Sequence, residues 1–192
     1  MVLKDYFDTT LAAARAGAAW AWESIYRDMA GGLAGFFRGR GVNEVEDLVS
    51  ETFLSVARDI HRFTGSESDF RARVFTIAHR RLVDDWRARG RSVPIAESEF
   101  AETEAERRWF GDVEREAMTA MSLIEVNALI KHLTKQQRDV VLLRVVGDLS
   151  VAETAKVLET SEGAVRALQK RAFSDLRSLI SQAASRFRDE ER

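Results

Sequence analysis

The chain has 192 residues, 45% of them hydrophobic and 31% charged, with a formal net charge of -2, one proline and no cysteine. That length suits one large domain or two small ones, and the missing thiols exclude disulfide scaffolds, cysteine zinc sites and thiol nucleophiles. The N-terminal residues show no signal-peptide pattern, and no apolar run approaches the roughly 18 residues of a membrane span, so a cytoplasmic protein with no membrane insertion of its own is expected.

Apolar residues recur three and four apart almost throughout, and alternating β-branched runs are missing, so the pattern predicts an all-α fold. The stretch WAWESIYRDMAGGLAGFFRGRG reads as helix, with Gly31, Gly32 and Gly35 either permitting close helix packing or marking a break. In VEDLVSETFLSVARDI, Val45, Leu48, Val49, Phe53, Val56, Ala57 and Ile60 form one stripe, leaving Asp47, Ser50, Glu51 and Asp59 for other faces. A loop, HRFTGSESD, follows, and the helical pattern resumes from Phe70 to Trp86.

Charge is distributed unevenly. Residues 71–91 hold seven arginines against two aspartates, whereas residues 97–116 hold eight acids against three arginines. Local sign, more than the net value, decides which partner can approach. The acidic run begins beside Pro94, the only proline, and the like charge and scarcity of large apolar groups read as a linker over residues 92–113. The expected organisation is therefore two small helical domains, residues 1–91 and 114–192, joined by that linker.

In the second half, Thr134 with Gln137 and Ser150 with Glu153 have the spacing of capping boxes, and Gly147 marks a helix stop between them. After a short turn, Ser161 caps a further helix, so helix, turn and helix follow with the spacing of a DNA-binding helix-turn-helix. Around that last helix Val165, Leu168, Ala172, Leu176 and Leu179 form the inward side, while Gly163, Arg166, Ala167, Lys170, Arg171 and Ser174 form the outward one. Small residues near its start permit close approach to a groove, long cations reach phosphates or guanine edges, and the helix N-terminus attracts phosphate. Three cations on a helix face also suit plain solvation; the preceding helix and turn favour the DNA reading.

The stretch from Val45 to Arg91 resembles region two of bacterial RNA polymerase sigma factors of the extracytoplasmic-function group, and residues 133–180 resemble region four. Both occur in the family order, with a variable linker between them. The resemblance implies a sigma factor whose partners are bacterial core RNA polymerase and promoter DNA, and it allows an anti-sigma factor as a further partner. On that basis Asp47, Leu48, Glu51, Thr52 and Phe53 would dock on the polymerase. His61, Arg62, Phe63, Thr64 and Ser66 of the loop, with Arg71, Arg73, Arg80, Arg81 and Arg87 of the next helix, would engage the minus-ten element. Ser161, Glu162, Gly163, Arg166, Ala167, Lys170 and Arg171 would read the minus-thirty-five element. Phe75 and Trp86 fit stacking on bases, although aromatics at helical spacing are more often core. Arg73, Arg80 and Ser50 stand where the family pattern has Trp, Asn and often Gln, which leaves the class intact and bears on base preference.

Two rival classes are a helix-turn-helix regulator that acts independently of core polymerase and a purely helical interaction protein. His61, His79 and His132 lack a second ligand at metal-binding spacing, and no phosphate loop, nucleophile elbow or paired catalytic carboxylate is present. Neither a cofactor nor enzymatic chemistry is expected.

Overall fold

The computed structural model describes residues 6–88 and 128–190, and every regular element among them is helical. The first half consists of α1 (Phe7–Arg15), α2 (Ala19–Gly39), α3 (Val45–Asp59), a 3-10 turn (Ile60–Arg62) and α4 (Glu67–Ala88). The second consists of α5 (Lys135–Val141), a π-helical turn (Leu142–Val146), α6 (Val151–Val157) and α7 (Glu162–Glu190). The acidic linker, Arg89 and Arg91 lie outside the described residues.

Periodicity explains what each helix of the first half buries. On α2, Ile25, Met29, Leu33, Phe36 and Phe37 are fully enclosed, and α4 contributes Phe70, Val74, Phe75, Ala78 and Leu82. Phe36 meets Phe75 edge-on at 5.9 Å, and Phe70 is flanked by Phe7 at 5.7 Å and Phe63 at 5.2 Å. Such tilted contacts suit the aromatic quadrupole and add to the area buried. Arg15 ties α1 to the 3-10 turn by donating to the carbonyls of Ile60 and Phe63.

Helix α4 starts three residues before the periodicity predicts. Ser66 accepts from the Asp69 amide at 3.3 Å, and the Asp69 carboxylate accepts from the Ser66 amide at 3.0 Å. This reciprocal cap extends the helix over polar residues that carry no hydrophobic signal. Gly65, at φ +145°, makes the preceding bend in a conformation that side chains rarely adopt.

Both predicted capping boxes are present, Thr134 with Gln137 and Ser150 with Glu153. The helix between them stops at Gly147, but not because that residue needs a left-handed backbone; Asp148 takes that role at φ 52°. Gly147 is required for space, since a Cβ there would stand 2.7 Å from the Leu143 carbonyl oxygen and 3.2 Å from the Phe75 ring.

Sequence periodicity predicts two units but not their placement, and the structure packs them on each other. Leu142, Leu143, Leu149 and Val157 join the core built on Phe36 and Phe75. Helix α2 runs unbroken through Gly31, Gly32 and Gly35, and of these Gly32 and Gly35 serve close packing, whereas Gly31 faces open space. A Cβ on Gly35 would stand 2.8 Å from Val146 Cγ1, one on Gly39 2.6 Å from Leu142 Cδ2, and one on Gly32 3.2 Å from the Val146 carbonyl oxygen.

Urea denaturation tests this assignment: Phe36→Ala should lower the unfolding free energy by about 3–5 kcal/mol through the cavity it leaves. Ser150→Ala, which removes one cap, should cost about 1 kcal/mol.

Candidate nucleic-acid interface

Helix α7 is held by its inward face. Val165 and Ala172 are fully buried, Val165 with Val140 and Ala155, and Ala172 with Leu133 and Val141. Leu168, Leu176 and Leu179 are partly covered. Gln137 of α5 donates to Asp175 at 2.8 Å, and Arg144 donates to Gln169 at 3.3 Å, so α7 cannot rotate without breaking both bonds. The preceding turn closes through Glu159, at φ 51°, and the Thr160 amide donates to Ala155 at 3.0 Å. Ser161 then caps α7 by accepting from the Ala164 amide at 3.2 Å.

This leaves Ser161, Glu162, Gly163, Arg166, Ala167, Lys170 and Arg171 exposed together on the outward face. Arg166 meets Glu162 at 2.6 Å across one turn. An exposed pair of this kind stabilises little and exchanges readily for a phosphate. Lys170 and Arg171 have no partner among the described residues.

The loop and α4 place their residues less uniformly. His61, Arg62, Thr64 and Ser66 are exposed, and Ser66 also caps α4. Phe63 is buried against Phe70, which corrects the expectation that it would meet a base directly. Arg71 is also corrected: it is buried, with Asp28 at 2.7 Å and Glu67 at 2.8 Å. Burial opposes its charge, but the hydrogen bonds and field of Glu67 and Asp28 outweigh that and raise its pKa. Arg71 thus fixes α4 to α2 and is not available for phosphate. Arg73 pairs with Asp59 at 3.0 Å, Arg81 with Glu51 at 2.9 Å, Arg80 with Glu159 at 3.5 Å and Arg87 with Asp84 at 3.4 Å. These four pairs are at least partly exposed. Phe75 is core, and Trp86 is half-buried beneath Arg40 and Lys135, at 4.5 and 4.7 Å from the ring centroid.

On α3 the proposed docking set divides by face. Leu48, Thr52 and Phe53 point into the core, and the Thr52 hydroxyl donates to the Leu48 carbonyl at 2.6 Å, so these three cannot form an outer surface. Asp47 and Glu51 are exposed, and Leu54, absent from the sequence-derived set, is 58% exposed on the same face. Its signal was an apolar residue off the buried stripe.

A further charged cluster had no sequence signal. Arg40 Nε lies 2.9 Å from Asp139 Oδ1, with both side chains largely enclosed, and Arg40 Nη1 donates to the Lys135 carbonyl at 3.4 Å. Burial lowers the Arg40 pKa against the pull of Asp139, and burial raises that of Asp139 against the pull of Arg40. Nearby His79 is likewise lowered, chiefly by burial.

Comparison with known proteins decides the family. The Sigma-70 region 2 model matches residues 24–92, and the Sigma-70, region 4 model matches residues 123–176. The ECF RNA polymerase sigma factor ShbA of Streptomyces griseus is 34% identical over 141 residues, covering 72% of each chain. The chain belongs to the ECF RNA polymerase sigma factors. BldN of Streptomyces coelicolor is 34% identical over 145 residues, and SigD of Mycobacterium tuberculosis is 34% identical over 137. The match takes in 76% of this chain and 54% of BldN, and 70% of this chain and 62% of SigD, so the chain spans less than two thirds of either relative. The fold is also that of CnrH, solved in complex with the cytosolic domain of CnrY, with a TM-score of 0.62, 24% identity and coverage of 91% of this chain and 96% of that one.

The division among the arginines is testable by thermal and urea melts. Arg71→Ala should destabilise the fold by about 3 kcal/mol or more, because it leaves buried Asp28 without its arginine. Arg87→Ala should stay within about 0.5 kcal/mol, as exposed pairs do.

Proposed function

We propose that this ECF family member acts as an alternative sigma factor: it binds bacterial core RNA polymerase, directs it to particular promoters and helps open the start-site DNA. It performs no chemistry of its own, which the polymerase supplies in the cytoplasm. One observation carries the reading: a region-four helix-turn-helix whose last helix is pinned on one side and presents Arg166, Lys170 and Arg171 on the other, following a region-two unit in the family order. That geometry suits a major groove, with Ser161 and the helix N-terminus toward phosphate.

The remaining roles follow from exposure. Arg62, Thr64 and His61 line the loop that would meet the minus-ten element, and Arg73, Arg80, Arg81 and Arg87 would trade exposed carboxylate partners for the phosphates of the melted strand. Asp47, Glu51 and Leu54 combine negative charge with an apolar contact, which suits a basic helical partner on the polymerase.

Run-off transcription from genomic fragments, with core polymerase and with or without this protein, tests the reading. Discrete start sites that depend on the protein are expected; none, with salt-sensitive duplex binding by the protein alone, would turn it into a polymerase-independent regulator. The double variant Arg166→Ala, Lys170→Ala should weaken promoter use through the upstream element at unchanged polymerase binding. Asp47→Lys with Glu51→Lys should abolish polymerase binding itself.

A further inference from the structure

Arg15, half-buried in the last turn of α1, has no carboxylate partner among the described residues. Its guanidinium instead donates through Nε to the Ile60 carbonyl at 3.2 Å and through Nη2 to the Phe63 carbonyl. Ile60 opens the 3-10 turn after α3 and Phe63 ends it, and the Phe63 amide closes the turn on the same Ile60 carbonyl at 3.3 Å. Carbonyls at the end of a helix lack partners within it and carry its partial negative charge, so a cation supplied by another helix suits them. The planar fork of an arginine grips two acceptors at once, which the single ammonium of a lysine does not reproduce.

The chain on either side of Thr64 is fixed as well. Phe63 sends its ring inward onto Phe70, which Phe7 of α1 also meets. Beyond Thr64, Gly65 bends the chain at φ +145°, and Ser66 and Asp69 close their reciprocal cap on α4. The carbonyls of Ile60 and Phe63 thus face α1, while the side chains of His61, Arg62 and Thr64 stand exposed. Those three are the loop residues assigned above to the minus-ten element.

We propose that Arg15 is a positioning residue for reading the minus-ten element: by holding the carbonyls of Ile60 and Phe63 it presets the turn on which His61, Arg62 and Thr64 meet the bases of the melted strand. This role rests on the sigma reading; the anchoring of the turn does not. A turn ordered beforehand loses less conformational freedom on binding. Its polar groups also tell one base from another only while they are held in place. Arg15 acts through the backbone and makes no contact with DNA itself.

Two variants separate the fork from the charge. Arg15→Gln removes both, and Arg15→Lys keeps the charge without the fork. Hydrogen exchange, followed by mass spectrometry on the full chain, should quicken about tenfold across residues 60–66 in each, with the centres of α3 and α4 unchanged. Holoenzyme made with core polymerase is then given single-stranded oligonucleotides that carry the minus-ten element of a promoter mapped by run-off transcription. Arg15→Gln should bind them about tenfold more weakly. The ratio of that affinity to the affinity for oligonucleotides with one base replaced should fall toward one in both variants. A merely structural loss lowers the amount of active protein and leaves this ratio alone. Affinity for core polymerase, assigned to Asp47, Glu51 and Leu54, should stay the same. Arg15→Lys carries both comparisons should Arg15→Gln fail to fold. Exchange equal to that of the wild-type chain in the variants overturns the anchoring and the positioning role together. Faster exchange with the base ratio retained overturns the positioning role. Absence of protein-dependent transcripts from the wild-type chain overturns the sigma reading and the positioning role with it, and exchange still decides whether Arg15 anchors the turn.

Discussion

Helix α2 must bury two sides at once, and the rest of the structure depends on how it does so. One side is apolar in the ordinary helical way, closing on α3 and α4 through Ile25, Met29, Leu33, Phe36 and Phe37. The other is stripped to glycine at positions 32, 35 and 39, and only there can the π-helical turn come close enough for Leu142 and Leu143 to enter the same core. The helix carries three interior glycines, Gly31, Gly32 and Gly35, and each sacrifices about 1 kcal/mol of intrinsic stability relative to alanine. Packing against two partners offsets that loss, which is why α2 remains unbroken where propensity alone would weaken it.

Charge follows the same division between inside and outside. The basic stretch around α4 reads as one cationic face in the sequence, but its members differ in what surrounds them. Arg71 is committed to Asp28 and Glu67 in a partly desolvated site, whereas Arg73, Arg81 and Arg87 hold carboxylates that water still reaches. Exposed pairs contribute little to the fold and so leave their cations free to change partners. On α7 the outward cations face fewer competitors, since only Arg166 has a carboxylate neighbour among the described residues.

The helices and both capping boxes of the second half were legible because they rest on local rules: apolar spacing, a hydroxyl at the start and a Glu or Gln three residues on. The inward and outward faces of α7 were legible for the same reason. The start of α4 was not, because a polar first turn held by Ser66 and Asp69 carries no apolar period, although its Ser-x-x-Asp spacing was there to be read. The roles of Phe63, Arg71 and the inner residues of α3 depend on which neighbour covers them, and neighbours distant in sequence leave no periodic trace. Arg71 and Asp28 are 43 residues apart, and Arg40 and Asp139 are nearly a hundred. Gly32 and Gly35 of α2 lie between these extremes: their spacing was visible and admitted close packing, but the Val146 that packs there lies beyond residue 140, and Gly31, which shares that spacing, packs against nothing.

The buried Arg40 and Asp139 pair shows why such a junction can be specific without being strong. Desolvation pushes both groups toward neutrality, the arginine downward and the aspartate upward, so much of the attraction between them is consumed in removing them from water. A hydrophobic pair in the same space would hold the halves more firmly. What the ion pair adds is a penalty for misalignment, since a shift along α2 would leave either charge enclosed without its partner. When the halves separate, both groups regain water, and the opened state carries no comparable penalty. The glycines fix how near the two surfaces come, the ion pair fixes their register, and neither makes the contact so tight that a stronger partner could not undo it.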